Sequence, residues 1–260
     1  MTYPMELARV AWMVFRMHLA TIAGSRRTLA GIVLAAMPPL FGLLVTRFAS
    51  SDATGDKVFL MIGLMLLIQF VVPMLSVSLG VGVIADEAEA RTITYPFTRP
   101  IPRPGVFLGR WLATVVVILT LLIASAMGLY VIALSAPPAM PLEDALPLVQ
   151  AAVVGGVVYS LGASVVGVLF KRGLVVALGY TFVIEILVAN LPGSTRTLTV
   201  QYHLRSIFVD PTSEIAKELP SVMGKFLTPG EALSRMAIVL AVLVLFGSWR
   251  VARKQFVLSS

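Results

Sequence analysis

The chain has 260 residues, of which 58% are hydrophobic and only 13% charged. A soluble domain carries about 25% charged residues, so this composition excludes an ordinary soluble globule and points to a polytopic membrane protein. The net charge of +7 reads as an orientation signal in short loops rather than a nucleic-acid surface, and the absence of cysteine excludes disulfides and thiolate metal sites.

In chain order, residues 3–23 read as an amphipathic helix, with Pro4 tolerated in its first turn. Glu6, Arg9 and Arg16 fall on one stripe, while Trp12, Val14, Phe15 and Leu19 supply apolar bulk. Such a helix lies in the membrane interface; as a span it would bury two arginines. Arg9, Arg16, Arg26 and Arg27 also interrupt any signal-peptide pattern.

About 20 apolar residues cross a bilayer, and six runs qualify, at about 28–49, 58–84, 106–134, 146–169, 174–191 and 231–249. Pro38-Pro39 should kink the first. The second is longer than it needs to be and should tilt or kink, at Pro73. In the fourth, Ala152, Gly156, Ser160 and Ser164 recur every four residues, a close helix-packing face. The expected fold is an all-α polytopic membrane protein, with an interfacial helix followed by six transmembrane helices.

With the amino terminus in the cytoplasm, inside segments hold thirteen of the 20 Lys and Arg residues, and the two short outer turns hold only Arg47 and Lys57. The positive-inside rule therefore places both termini and the 85–105 loop in the cytoplasm. The 192–230 segment is then extracytoplasmic.

That loop is the strongest interruption of the apolar pattern. It carries Asp86, Glu87 and Glu89, then Arg91, Thr92, Arg99 and Arg103, with prolines at 96, 100, 102 and 104. A short acidic helical start followed by Pro- and Arg-rich chain suits the docking of a partner protein. Arg99 and Arg103 also suit anionic headgroups.

Glu87 to Arg103, EAEARTITYPFTRPIPR, followed by Gly109-Arg110, resembles the signature loop of ABC-2-type transporter permeases. That pattern reads approximately E-x-E-x-G-T-aliphatic-x-x-x-aliphatic-x-R-P-aliphatic-x-R, then G-K. Glu87, Glu89, Thr92, Ile93, Phe97, Arg99, Pro100, Ile101, Arg103 and Gly109 match, whereas Arg91 replaces the glycine and Arg110 the lysine. Among subtypes the chain is most similar to small permeases such as that of the nitrous-oxide-reductase maturation transporter. The resemblance implies a type V exporter-like ABC-2 fold. It also implies that the loop holds a coupling helix fitting a groove in a separate cytoplasmic ATPase, with Asp86, Glu87, Glu89, Arg91, Thr92, Arg99 and Arg103 as coupling residues. ATP and Mg would sit on that ATPase, since no G-x-x-x-x-G-K-[ST] phosphate cradle occurs in this chain. The permease would act as a homodimer or a heterodimer with a sister subunit.

Glu185, about twelve residues into the fifth run, is an intramembrane carboxylate and hence a candidate pathway residue. The alternatives are a structural hydrogen bond to a neighbouring helix, with Gln69 of the second span as partner, or a protonated acid against a dimer partner. Tyr202, His203 and Arg205 lie in the outer segment, which should form one or two short helices dipping into the interface. The resemblance makes this region an outer gate. His203 alone reads as an interfacial side chain, and no metal site is expected.

Two rival readings differ in class. Asp86-Glu87-x-x-x-Arg91 imitates an intramembrane protease box, but His18 and His203 are the only histidines and lie in the wrong places. A secondary transporter or membrane scaffold lacks support from any inner repeat or second buried charge. The mostly aliphatic spans favour an amphipathic or lipid-like substrate.

Overall fold

The computed structural model describes residues 3–48, 54–89, 102–136, 141–190, 195–209 and 226–253. Among them the chain is helical and forms no strand.

Helix α1 (Tyr3–Ala23) turns at Gly24-Ser25 into α2 (Arg26–Phe48). The turn is fastened by the Thr28 hydroxyl, which donates to the Ile22 carbonyl at 2.6 Å. Helix α2 stays helical through Pro38 and Pro39. The second span is composite: α3 (Gly55–Ile62), a π-helical segment (Gly63–Val71) and α4 (Val72–Glu89) follow one another without a break. Helix α5 (Arg103–Ala133) and helix α6 (Leu142–Leu169) are the longest. The fifth apolar run divides into α7 (Gly173–Gly179), a second π segment (Tyr180–Glu185) and α8 (Ile186–Asn190). A 3-10 turn (Thr195–Leu198), α9 (Val200–Phe208) and α10 (Pro229–Arg253) complete the chain.

Five helices are long and apolar enough to cross a membrane: Arg26–Phe48, Gly55–Val83, Arg103–Ala133, Leu142–Leu169 and Pro229–Arg253. The fifth run of the sequence is shorter than these. At about 1.5 Å per residue a straight helix needs about 20 residues to cross 30 Å of hydrocarbon. The fifth run, expected at about 174–191, is this shorter apolar helix, interrupted by a π segment.

Helix α6 is the hub. Its small-residue stripe wedges between α4 and α5, with Ala152, Gly156, Ser160 and Ser164 all buried. A Cβ on Gly80 of α4 would lie 2.6 Å from the Ser160 carbonyl oxygen, so only glycine permits that approach. The Ser164 hydroxyl then reaches the Gly80 carbonyl at 2.8 Å. On the α5 side, a Cβ on Gly156 would meet Leu122 at 2.9 Å. Lipid tails are as apolar as leucine, so helices in a bilayer associate through such close packing rather than through hydrophobic burial.

The main core joins the second span, α5, α6 and α9 through Leu67, Ile68, Leu75, Leu122, Leu148 and Leu204. A second cluster gathers Val83, Phe107, Trp111, Leu161, Val165 and Val251 at the end of the bundle that carries the charged loop. Apolar side chains of α2, the fifth run and α10, among them Val33, Leu44, Val183, Leu187, Val242 and Leu245, remain exposed and face outward.

Candidate functional site

Two regions bring the candidate residues together: the stems of the 85–105 loop and a buried polar cluster around α9. At the first, α4 runs on through Glu89 and α5 begins at Arg103. Asp86, Glu87 and Glu89 therefore sit on the final turns of the second-span helix, where a short acidic helical start was expected, and Arg103 on the first turn of α5. Arg91, Thr92 and Arg99 lie outside the described residues. Pro102 and Pro104 suit the start of α5, where missing N–H groups cost nothing. Below the loop, Arg110 Nη1 donates to the Val83 carbonyl at 3.4 Å and ties the two stems together.

Gly109 of the loop motif has a steric role. A Cβ there would collide with the backbone carbonyl of Ala11 in α1, and one on Gly105 would lie 2.9 Å from the carbonyl oxygen of Leu7. These two glycines, one turn apart, form the groove in which α1 lies. Thr114 Oγ1 faces His18 Nε2 at 3.4 Å one turn further along.

The polar cluster is built from the second span, α6, the fifth run and α9. Glu185 is 1% exposed. Its Oε2 accepts the Tyr159 hydroxyl proton from α6, and its Oε1 accepts the Val200 N–H at 2.8 Å. Val200 is the first residue of α9, where helix N–H groups lack partners of their own. The carboxylate thus caps α9 and holds it to α6. The expected partner Gln69 is corrected to Tyr159. Gln69 contributes its backbone carbonyl to the cluster, and the side chain that meets it comes from Gln201.

Pro73 explains why Gln201 is needed there. The Val72 N–H bonds to the Leu67 carbonyl, five residues back, so the next partner in that ladder, for Ile68, would be the nitrogen of residue 73. Proline has no proton to give. The orphaned Ile68 carbonyl accepts from Gln201 Nε2 at 3.2 Å, with the Gln69 carbonyl at 3.4 Å from the same nitrogen. A side chain from a neighbouring helix thereby restores a backbone hydrogen bond that a proline removed within a span. The expected disturbance at Pro73 takes the form of a π-helical stretch on its amino-terminal side.

Tyr202, His203 and Arg205 are 6%, 3% and 4% exposed. The interfacial setting expected for them is corrected to a buried one, because α9 packs between α6 and α10. Thr199 caps the helix, accepting the Tyr202 N–H at 3.3 Å. Arg196 stacks over the Tyr202 ring at 5.4 Å. Ser206 accepts the Leu227 N–H at 3.2 Å and so links α9 to the segment leading into α10. His203 Nδ1 donates to the Thr199 carbonyl at 2.8 Å. Burial pushes the His203 imidazole below its ordinary pKa, and Arg235 adds to this, against the opposing pull of the Thr199 bond. Tyr159 and Gln201 are the members that sequence reasoning missed. Among the described residues no group of His, Cys, Asp and Glu is placed to hold a metal ion.

Residues 7–250 match the model of the ABC-2 family transporter protein. The chain belongs to the ABC-2 family. It is accordingly a multi-pass membrane protein and the permease subunit of an ABC transporter. Membership also implies pairing with an ATP-binding cassette ATPase. No curated protein matched the chain.

Proposed function

We propose that this ABC-2 permease forms the substrate pathway of an exporter and couples, through the 85–105 segment, to a separate cytoplasmic ATP-binding cassette ATPase. The observation that supports this is the placement of Asp86, Glu87 and Glu89 on the last turns of α4 and of Arg103 on the first turn of α5, on helices joined by the Arg110–Val83 hydrogen bond. A force applied at that end acts directly on α4 and α5, and through the Gly80–Ser160 contact on α6. ATP and Mg bind the partner, and this chain does not itself hydrolyse ATP. Two permeases pair, as a homodimer or with a sister subunit, through outward apolar faces of the kind found on α2 and the fifth run. Both termini are cytoplasmic. The size and the loop motif favour the small permeases of the nitrous-oxide-reductase maturation type.

At the other end, α9 is held by four neighbours at once: α6 and the fifth run through Glu185, the second span through Gln201, and the segment leading into α10 through Ser206. We infer that Glu185 and Gln201 position α9 as the outer gate, with Tyr202, His203 and Arg205 buried in it. Domain rocking driven at the ATPase end would move these anchors relative to one another.

The coupling role is tested with Glu87→Lys and Glu89→Lys in the complex. Loss of substrate-stimulated ATP turnover with normal membrane expression of the permease is the expected result. Unchanged ATPase co-purification and unchanged turnover would remove the docking role from these acids.

A further inference from the structure

Helix α1 presents a face that neither water nor hydrocarbon suits. Its inner side lies in the Gly105–Gly109 groove of α5. On the opposite side Arg9 and Arg16, two helical turns or about 10.5 Å apart, share one column. Trp12 flanks that column on one edge, with Met13 and Met17 on the other, and the five side chains line an open groove of about 500 Å³. Trp12 stacks on Phe15 at 5.3 Å between ring centroids, which fixes the indole as one wall. Neither arginine makes an ion pair or a hydrogen bond among the described residues, and Glu6 is the one acid of α1. Trp12, Met13 and Met17 are each more than half exposed.

Three large apolar side chains left in water would be unfavourable, and so would two unpaired guanidinium groups left in hydrocarbon. An amphiphile with an anionic head and an acyl tail satisfies both. The depth of α1 agrees with this. Helix α5 has 31 residues, about 46 Å, against about 30 Å of hydrocarbon. The excess matches the stretch from Arg103 to about Ala113, the part that bears Arg103 and Arg110 and against which α1 packs.

We propose that the outer face of α1 is a binding site for the headgroup of an anionic phospholipid, with Arg9 and Arg16 holding the phosphodiester and Trp12, Met13 and Met17 receiving the first acyl methylenes. Guanidinium matches phosphate geometry through paired N–H donors. The net positive face selects lipids of net negative charge over zwitterionic ones, and Trp12 at the headgroup level follows the usual placement of indole at membrane interfaces. The site rests on the membrane setting of the chain alone and is independent of ATPase docking.

The test uses the full-length permease with Trp111→Phe and Trp249→Phe, leaving Trp12 as the single indole, in nanodiscs containing brominated phosphatidylglycerol or brominated phosphatidylcholine. Preferential quenching of Trp12 by the anionic lipid is expected. Arg9→Gln with Arg16→Gln should reduce that preference about fivefold per arginine, on the order of 25-fold for both, while thermal stability in zwitterionic lipid stays unchanged. Equal quenching by both lipids, unaffected by the double substitution, would overturn the site and leave a plainly solvated face. Displacement of the effect by millimolar glycerol phosphate would equally overturn it, as a free-phosphate site. Loss of ATPase co-purification with lipid preference intact would assign the face to a protein partner instead and overturn the lipid reading.

Discussion

Replacing Gln201 by alanine withdraws the amide that reaches the Ile68 and Gln69 carbonyls, at 3.2 and 3.4 Å. Ile68 is fully buried, so no water takes the place of the lost donor. An unsatisfied buried backbone group costs about 1–3 kcal/mol, which sets the expected destabilisation at about 2 kcal/mol. Pro73 as the cause makes a stricter demand. In a Pro73→Ala background residue 73 regains an N–H, the carbonyls have a donor within the helix, and Gln201→Ala should cost about 1 kcal/mol less, within the range measured for hydrogen bonds between membrane helices. Reversible unfolding of the four variants in mixed micelles closes the double-mutant cycle. If the two substitutions add to within about 0.3 kcal/mol, Pro73 and Gln201 are not a compensating pair and the account of the π segment is wrong.

Glu185→Gln keeps one acceptor oxygen for Tyr159 or Val200 but turns an amide N–H toward the other, and should lower stability by about 1–2 kcal/mol. Tyr159→Phe in the same assay should reproduce about half of that loss; loss of transport with full stability would instead make Glu185 a pathway residue. Gly109→Val should displace α1 from α5, lowering thermal stability by several degrees for a cost of about 1–3 kcal/mol, whereas the same change at Gly24, which has open space around it, should have little effect through packing. Burial lowers the pKa of His203 below the value of 6.5 that the unfolded chain keeps. The unfolded state therefore takes up the proton first, and stability should be fully present above about pH 6.5 and fall on acidification by at most about 1.4 kcal/mol per pH unit. His203→Gln should flatten that slope when melting is followed against pH.

The spans were legible because little besides a bilayer calls for uncharged apolar runs of about 20 residues. The fourth-span stripe was legible too, since small residues at four-residue spacing serve chiefly to let helices approach. Within the fifth run, the π turn at Tyr180–Glu185 was not legible, because a π turn leaves no mark in an apolar composition. Residues 200–208 misled on burial. Tyr202, His203 and Arg205 read as an outer segment dipping into the interface, but composition does not distinguish polar groups at an interface from polar groups buried between helices. The Glu185–Tyr159 pair joins residues 26 positions apart on different helices, so no local pattern announces it. Pro73 was the usable signal for Gln201: a proline inside a span orphans a carbonyl, and some donor must meet it. Gly109 was read as a motif letter, and its steric cause appears only once α1 is laid across it.

If this permease works through an ATPase bound at the α4–α5 end, the two chains should travel together. Affinity purification of the tagged protein from its native membrane in mild detergent, with mass spectrometry and an ATPase assay, tests this most directly. A stoichiometric P-loop ATPase whose turnover depends on Glu87 and Glu89 is the predicted result. A permease that purifies alone, transports without ATP and shows no associated turnover would contradict it.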